Sequence, residues 1–152
     1  MRNILKPSII IFLLLLFITN CAPEACFEET DAMLKATFYD NLKKEKKAPD
    51  SLTVYGAGMD TKLYNRERNV QPARLPLNAS DASCTYIIRI NGINDTMVLT
   101  YNSYPHLVSK ECGYTFFHKL GSITYTTNNI DYIYTGKTDI TTLNEENIRI
   151  FY

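Results

Sequence analysis

Apolar and polar residues alternate along most of the chain from residue 33 onward, which is the period of a half-buried β-strand. In the first such run, one face carries Leu34, Ala36 and Phe38. β-Branched and aromatic residues dominate, and no window long enough for a helix has a convincing helical period. The pattern therefore predicts an all-β domain.

The same alternation predicts further strands within residues 51–56, 84–90, 96–101 and 146–152. Their expected inward side chains are Leu52, Val54, Tyr86, Ile88, Ile90, Met97, Leu99, Tyr101, Ile148, Ile150 and Tyr152. Asn91-Gly92 supplies the positive φ angles of a tight hairpin turn between two of these strands.

Residues 114–136 are expected to form three short strands, with turns near Gly121 and at Asn128-Asn129. On the last strand, one face is expected to carry Ile130, Tyr132 and Tyr134. Residues 41–50 form a charged loop, and the two prolines of 65–78 confine that segment to an edge or a connection. The whole predicts a single antiparallel β-sandwich of about seven to nine short strands.

The start of the chain is typical of a secretory signal peptide. The apolar run Ile9–Ile18 follows the cations Arg2 and Lys6 and is far shorter than the roughly 20 residues of a spanning helix. A short membrane anchor and a buried core helix are the alternatives. The predicted organisation is a signal peptide over 1–20, a tether over 21–32 and a β-sandwich domain over 33–152.

Ile18-Thr19-Asn20-Cys21 resembles a bacterial lipobox, in which the cysteine thiol receives the lipid, although Asn20 departs from the usual small residue. More than one acyl chain gives stable anchoring, so we expect a membrane partner through lipid on Cys21. Ala22 is not the Asp of an inner-membrane retention signal, which favours the outer membrane. Cleavage near residues 22–25 to release a soluble protein, and lipidation of Cys26, are the weaker alternatives.

The composition limits the partners. Because Arg2 and Lys6 leave with the signal peptide, the 16 acidic residues exceed the remaining basic ones by two. This balance lacks the concentrated positive charge of nucleic-acid binders. Four lysines, Lys43, Lys44, Lys46 and Lys47, are expected to be solvated in their loop, with contacts to anionic glycan or lipid as the alternative.

Three cysteines remain if Cys21 is acylated: Cys26, Cys84 and Cys112. They allow one disulfide in any of three pairings, or three inert thiols. Closing a loop as long as Cys26–Cys112 would stabilise the fold by about 4 kcal/mol in the chain-entropy model.

No serine-hydrolase elbow, zinc-protease motif or phosphate loop occurs. His106, Cys112 and His118, with Cys84 as a fourth ligand, form the nearest approach to a metal set, but they lie six residues apart. We expect His118 on a strand and His106 in a turn led by Pro105. A Cys112–His nucleophile pair is a further alternative, which a disulfide would remove. The expectation is no enzyme and no cofactor or metal.

Six short segments, at 38–40, 50–56, 75–78, 108–116, 126–133 and 146–152, resemble a family of small Bacteroidetes lipoproteins of unknown function. The resemblance implies a single exported domain without known enzymatic activity. It also implies a Cys26–Cys112 disulfide with Cys84 free. Exported proteins of that phylum carry O-glycans at motifs similar to Asp50-Ser51-Leu52 and Asp95-Thr96-Met97, which makes Ser51 and Thr96 candidate acceptors.

The leading functional prediction is a non-catalytic lipoprotein of the cell envelope that binds or scaffolds another envelope component, with strand addition at an exposed sheet edge as one mode. The alternative is a lipoprotein that binds a glycan or small ligand for nutrient capture, which a cluster of tyrosines on one exposed face would favour. The oligomeric state is not predicted.

Overall fold

The computed structural model describes residues 25–152, which contain ten strands and no helix. The strands are β1 (Met33–Tyr39), β2 (Leu52–Gly56), β3 (Lys62–Glu67), β4 (Ala73–Pro76), β5 (Ser83–Ile90), β6 (Ile93–Ser109), β7 (Gly113–Tyr125), β8 (Tyr132–Thr135), β9 (Asp139–Ile140) and β10 (Ile148–Phe151). The predicted signal peptide, Cys21 and the first part of the tether lie outside the described residues.

The strands form two sheets, which confirms the all-β prediction. One sheet has the order β4-β1-β10-β8 and the other has the order β3-β2-β5-β6-β7-β9. All named strand pairs are antiparallel except β1 and β10, which run parallel in the middle of the first sheet. The described chain has ten strands rather than seven to nine, and β6 and β7, with 17 and 13 residues, are not short.

One hydrophobic cluster joins the two sheets. All of the expected inward residues of β2, β5 and β6 are buried in it, which confirms the period-two assignment of these strands. The first sheet contributes Leu34, Ala36, Phe38, Ala73, Leu75, Ile148 and Ile150.

Strand β1 is buried on both faces, whereas the alternation predicts a half-buried strand. The segment between β9 and β10 covers its second face: Lys35 Nζ donates to the Thr141 carbonyl at 3.3 Å, and Tyr39 OH donates to Glu146 at 3.1 Å. The ammonium group of Lys35 is hydrogen-bonded to backbone carbonyls. A lysine at this position of the sequence therefore does not indicate a solvent-exposed face of the strand.

The predicted hairpin turn is confirmed. Asn91 and Gly92 have φ angles of 51° and 93° and connect the paired residues Ile90 and Ile93. These are the angles that a two-residue turn between antiparallel strands requires.

The turn predicted near Gly121 is wrong, because β7 runs straight through it. Residues 121 and 122 lie opposite the single residue Thr100, which makes a β-bulge. A Cβ atom on Gly121 would lie 2.8 Å from Thr100 Oγ1. The glycine therefore permits a close cross-strand approach rather than a change of direction.

The face predicted for β8 is also wrong. Ile130 is buried, but Tyr132 and Tyr134 point outward and Ile133 packs against the core. Ile130 precedes the strand, so the strand alternation that begins at Tyr132 does not apply to it.

Two strands were not predicted. β3 is largely exposed and polar, and β9 has only two residues. The proline-containing segment behaves as expected, since β4 is an edge strand of its sheet.

Candidate functional site

Strands β6 and β7 extend beyond the rest of their sheet as a two-stranded arm. The pairing of β6 with β5 ends at Thr100 and Ser83, whereas β6 and β7 remain paired as far as Ser109 and Gly113. We call residues 102–118 the arm, which is two-stranded as far as His118, where β9 pairs with β7. Its two strand segments, 102–109 and 113–118, contain no Asp, Glu, Lys or Arg.

The β6 edge of the arm has no strand neighbour among the described residues. Tyr101 N–H donates across this side to the Ala82 carbonyl at 2.9 Å. Backbone groups alternate sides along a strand, so Ser103, Pro105 and Leu107 direct their backbone groups to the same open side. Proline has no N–H, so Pro105 leaves a gap in this edge without costing a bond to β7.

The N-terminal segment is attached to the arm at two points. A disulfide joins Cys26 to Cys112 with a Cα–Cα distance of 4.7 Å, which is the pairing that the resemblance implies. Four residues further on, the Thr30 carbonyl accepts a hydrogen bond from Thr115 Oγ1 at 2.6 Å. The described chain therefore begins at the tip of the arm and follows it toward β1.

One face of the arm carries a ring cluster, which we define as Tyr104, His106 and Phe117. The His106 and Phe117 rings are stacked with centroids 4.0 Å apart, and the Tyr104 ring meets Phe117 edge-on at 6.3 Å. Tyr104 and His106 are exposed. Aromatic residues are enriched in protein interfaces and charged ones are depleted from their centres, so the composition of this face is that of a binding surface.

The opposite face of the arm differs, because Ser103 and His118 are paired there at the edge of the core. Ser103 Oγ and His118 Nδ1 are 2.8 Å apart, and His118 is buried. Burial lowers the pKa of His118 from its usual 6.5. The Tyr101 ring, which belongs to the core, meets the His118 ring edge-on at 5.5 Å. The Ser103–His118 pair therefore packs against the core.

A second aromatic surface lies on the outer face of the four-stranded sheet. Tyr39, Phe151 and Tyr132 are cross-strand neighbours whose ring centroids are separated by 5.1 and 4.2 Å. We call these three rings the aromatic ladder. Lys44 Nζ lies 4.7 Å from the Tyr132 ring, and the Arg149 guanidinium lies 5.5 Å from Tyr39. The ladder is thus covered in part by cations of the same chain.

Arg149 also ties the ladder to an acid. Its Nε lies 2.5 Å from Glu146, which in turn accepts the hydrogen bond from Tyr39 OH. The Arg149 guanidinium lies 5.6 Å from the ring of the exposed Tyr134. Arg149, Glu146 and the tyrosine rings therefore form one network of contacts within the protein.

Residues 51–152 match the family of unknown function DUF6452. The chain belongs to this family. The match includes the whole arm but not Cys26 or β1, although β1 is the strand between β4 and β10. No curated protein and no solved structure matches the chain.

The residues considered as metal ligands do not form one site. His106 lies on strand β6, not in a turn as predicted, and it belongs to the ring cluster, whereas His118 faces the core. Cys112 is bonded to Cys26, which removes the thiol from metal binding and nucleophilic chemistry. Residues 25–152 contain no group of three His, Cys, Asp or Glu side chains arranged to hold a metal ion.

Cys84 is the thiol that remains in the described chain. It lies half-buried beside a cavity of about 410 Å³ whose apolar lining includes Met59, Leu63 and Leu77. Burial raises the pKa of Cys84 to about 11. The thiol is therefore protonated at neutral pH, which does not suit a nucleophile.

The four loop lysines have separate roles. Lys44 lies over the aromatic ladder, and Lys47 pairs with Asp40 at 3.0 Å. A backbone hydrogen bond from Lys43 and a side-chain bond from Lys47 lower the pKa of Asp40 to about 2. Lys46 takes part in a backbone bridge with Tyr39.

The candidate glycan acceptors lie in different settings. Ser51 precedes β2, where its N–H donates to Asn91 Oδ1 at 3.1 Å. Thr96 is within β6, and its backbone is bonded to Thr126. Both side chains are partly exposed.

Asp95, the first residue of the motif Asp95-Thr96-Met97, has a structural role that the motif does not indicate. It is buried and accepts four hydrogen bonds, from Thr126 Oγ1 and from the backbone N–H groups of Asn128, Asn129 and Ile130, at 2.7–3.0 Å. The carboxylate therefore holds the turn before β8. The adjacent Asn128-Asn129 pair was the available signal, because consecutive turn residues expose N–H groups that need an acceptor.

No helix in the described residues is long and apolar enough to cross a membrane. No buried side-chain nitrogen or oxygen within residues 25–152 lacks a hydrogen-bond partner. The buried polar side chains of these residues are therefore paired within the fold.

Proposed function

We propose that this protein is a non-catalytic, lipid-anchored component of the cell envelope that binds another envelope protein through the arm. The observation that carries the proposal is the ring cluster, which stands on two strand segments without a charged side chain. Buried aromatic anchors are the side chains that contribute most in protein interfaces.

The backbone of the arm adds a second mode of recognition. The open β6 edge presents the N–H groups of Ser103 and Leu107 on either side of Pro105. A partner strand can use these groups, while the proline gap disfavours indiscriminate pairing. Rings supply affinity and the interrupted edge supplies selectivity.

The anchor in this proposal is lipid on Cys21, and the site of action is the outer membrane. The lipobox-like Ile18-Thr19-Asn20-Cys21 and the resemblance to Bacteroidetes lipoproteins support it. The intact mass of the protein from the membrane fraction tests it directly. A mass that begins at Cys21 and includes acyl chains is expected, and an unacylated mass that begins elsewhere would overturn the anchor.

Binding is tested by co-isolation after crosslinking in cells. The double variant Tyr104→Ser, His106→Ser should lose a partner that the parent protein recovers reproducibly. The matched control is Tyr134→Ser, since Tyr134 is 53% exposed and Tyr104 is 41% exposed. Equal recovery from parent and arm variant would contradict a binding role of the ring cluster.

A second candidate is glycan or ligand binding for nutrient capture. The outer face of the four-stranded sheet favours it, because Tyr132, Tyr134 and Arg149 provide exposed rings beside a cation. The ladder stacks against its own lysine and arginine, however, which leaves less ring face for a sugar. Binding on a glycan array that is lost in Tyr134→Ser would favour this function over the arm.

A further inference from the structure

Four exposed apolar side chains lie within the outer part of the arm or next to its disulfide in the sequence. Leu107 and Tyr114 are directly paired across β6 and β7, and Phe116 is paired with Pro105 two residues nearer the core. Phe27 directly follows the disulfide residue Cys26. We call Phe27, Leu107, Tyr114 and Phe116 the tip patch.

The tip patch is distinct from the ring cluster. Side chains of successive cross-strand pairs alternate between the two faces of a ribbon. The pairs Leu107–Tyr114 and Pro105–Phe116 therefore lie on one face, and Tyr104–Phe117 lies on the other. A partner that covers the ring cluster leaves the tip patch uncovered.

These side chains are strongly exposed for their type. Phe27 is 93% exposed and Tyr114 is 74% exposed. Contiguous exposed apolar residues mark surfaces that contact a protein or a membrane. The surrounding charges are mainly acidic, with Glu28, Glu29 and Glu111 against Lys110.

The position of the lipidation cysteine decides between these two occupants. Cys21 is five residues before Cys26, and five extended residues reach at most about 18 Å. Cys26 is covalently joined to Cys112 with 4.7 Å between their Cα atoms, so this reach plus 4.7 Å limits the distance from Cys21 to the tip of the arm. A lipid on Cys21 would therefore hold the tip close to the headgroup layer.

We infer that the tip patch inserts into the lipid headgroup region and fixes the orientation of the anchored domain, with the bilayer as its occupant. This inference rests on the proposed lipid anchor. Tethering raises the effective concentration of the tip at the surface to the millimolar range, so weak insertion suffices. Aromatic rings are favoured at this depth, and the acidic surroundings direct the tip to zwitterionic rather than anionic lipid.

The chain contains no tryptophan, so a single substitution provides a fluorescent probe of depth. We would place it at Tyr114→Trp and, independently, at Phe27→Trp, so that one misfolded variant does not remove the test. The control is Tyr134→Trp, on β8 of the other sheet and also exposed. Each acylated full-length mature protein is reconstituted in zwitterionic phosphatidylcholine vesicles.

Lipids with a nitroxide near the headgroup should quench the two tip probes by about twofold or more, since interfacial tryptophan lies at that depth. Iodide in the buffer should quench the Tyr134→Trp probe more strongly than the tip probes. Replacing part of the lipid by anionic phosphatidylglycerol should not increase quenching at the tip.

Three results would overturn the inference. If the acylated protein floats with vesicles but the tip probes are quenched by iodide and not by lipid, the tip lies in water and only the anchor survives. If all probes are quenched equally by lipid, the domain has no fixed orientation. If the protein from cells is unacylated and does not float, the proposed anchor itself fails, and the inference fails with it.

Discussion

The protein has an aromatic surface on each of its two sheets, and the two surfaces differ in the charged residues that contact their rings. The aromatic ladder spans three paired strands and is covered by Lys44 and Arg149. The ring cluster spans two strands, and the strand segments that carry it contain no charged residue. The ladder is contacted by cations of its own chain, whereas no cation–ring contact of the described residues involves the ring cluster.

The first prediction separates stability from binding. Phe151→Ala removes the central, buried ring of the ladder and should lower the free energy of unfolding by about 4 kcal/mol. Phe117→Ala on the arm should cost about 1 kcal/mol or less, because its site is half-exposed. Urea unfolding of both variants provides the measurement. Similar losses in the free energy of unfolding would show that the two surfaces contribute equally to stability.

The second prediction concerns the attachment of the N-terminal segment to the arm. Replacing Cys26 and Cys112 by serine should lower the free energy of unfolding by about 3 kcal/mol, since the disulfide closes a long loop. Hydrogen exchange should increase in residues 25–31 and 113–117 and stay unchanged in the ladder. Cys84→Ser is the control. An equal increase in hydrogen exchange of these residues in Cys84→Ser would show that the disulfide does not hold the N-terminal segment on the arm.

The sequence predicted the core better than either surface. Alternation identified Met97, Leu99 and Tyr101 correctly, because a strand with one buried face imposes a period of two on its residues. It failed at β1, where a distant loop covers the second face. A single sequence does not show which distant segment covers a strand.

The arm was missed for a related reason. Pro105 suggested a turn around His106, since proline normally ends a strand. The position tolerates proline only because β5 has ended and its side of β6 is open. Similarly, Gly121 suggested a turn, and only the cross-strand position of Thr100 shows that a bulge needs it.

The third prediction is a pH dependence that belongs to the base of the arm. Burial lowers the pKa of His118 in the folded state, so the unfolded chain binds its proton more readily. The contribution of His118 to the free energy of unfolding should be fully present above the usual pKa of 6.5 and should be lost as the pH drops from there toward the folded pKa. This loss in the free energy of unfolding should be smaller than the losses in the first two predictions.

Urea unfolding at about pH 8 and pH 5 provides the test, because the interval contains the ordinary titration range of histidine. The fall in this range should be reduced in His118→Asn and retained in His106→Asn. Asp40 is a weak competitor here, since its pKa of about 2 places its contribution at more acidic pH. An unchanged slope in His118→Asn would contradict the assignment.

The fourth and smallest effect concerns the open edge. Pro105→Ala restores an N–H that points away from β7 and should promote strand pairing between copies of the arm. Analytical ultracentrifugation should detect a modest increase in concentration-dependent self-association relative to the parent protein. Thr100→Ala, at the last residue of β6 paired with β5, is the control and should leave self-association unchanged.

The most direct measurement places a photo-crosslinking amino acid at Tyr104 or at Tyr134 in cells that make the protein. The ring cluster and the ladder face are then compared in the same envelope. If the arm binds the partner, position 104 should give one defined crosslinked partner protein, and position 134 should give none of comparable yield. The same partner in equal yield from both positions, or a partner only from position 134, would contradict the assignment of binding to the arm.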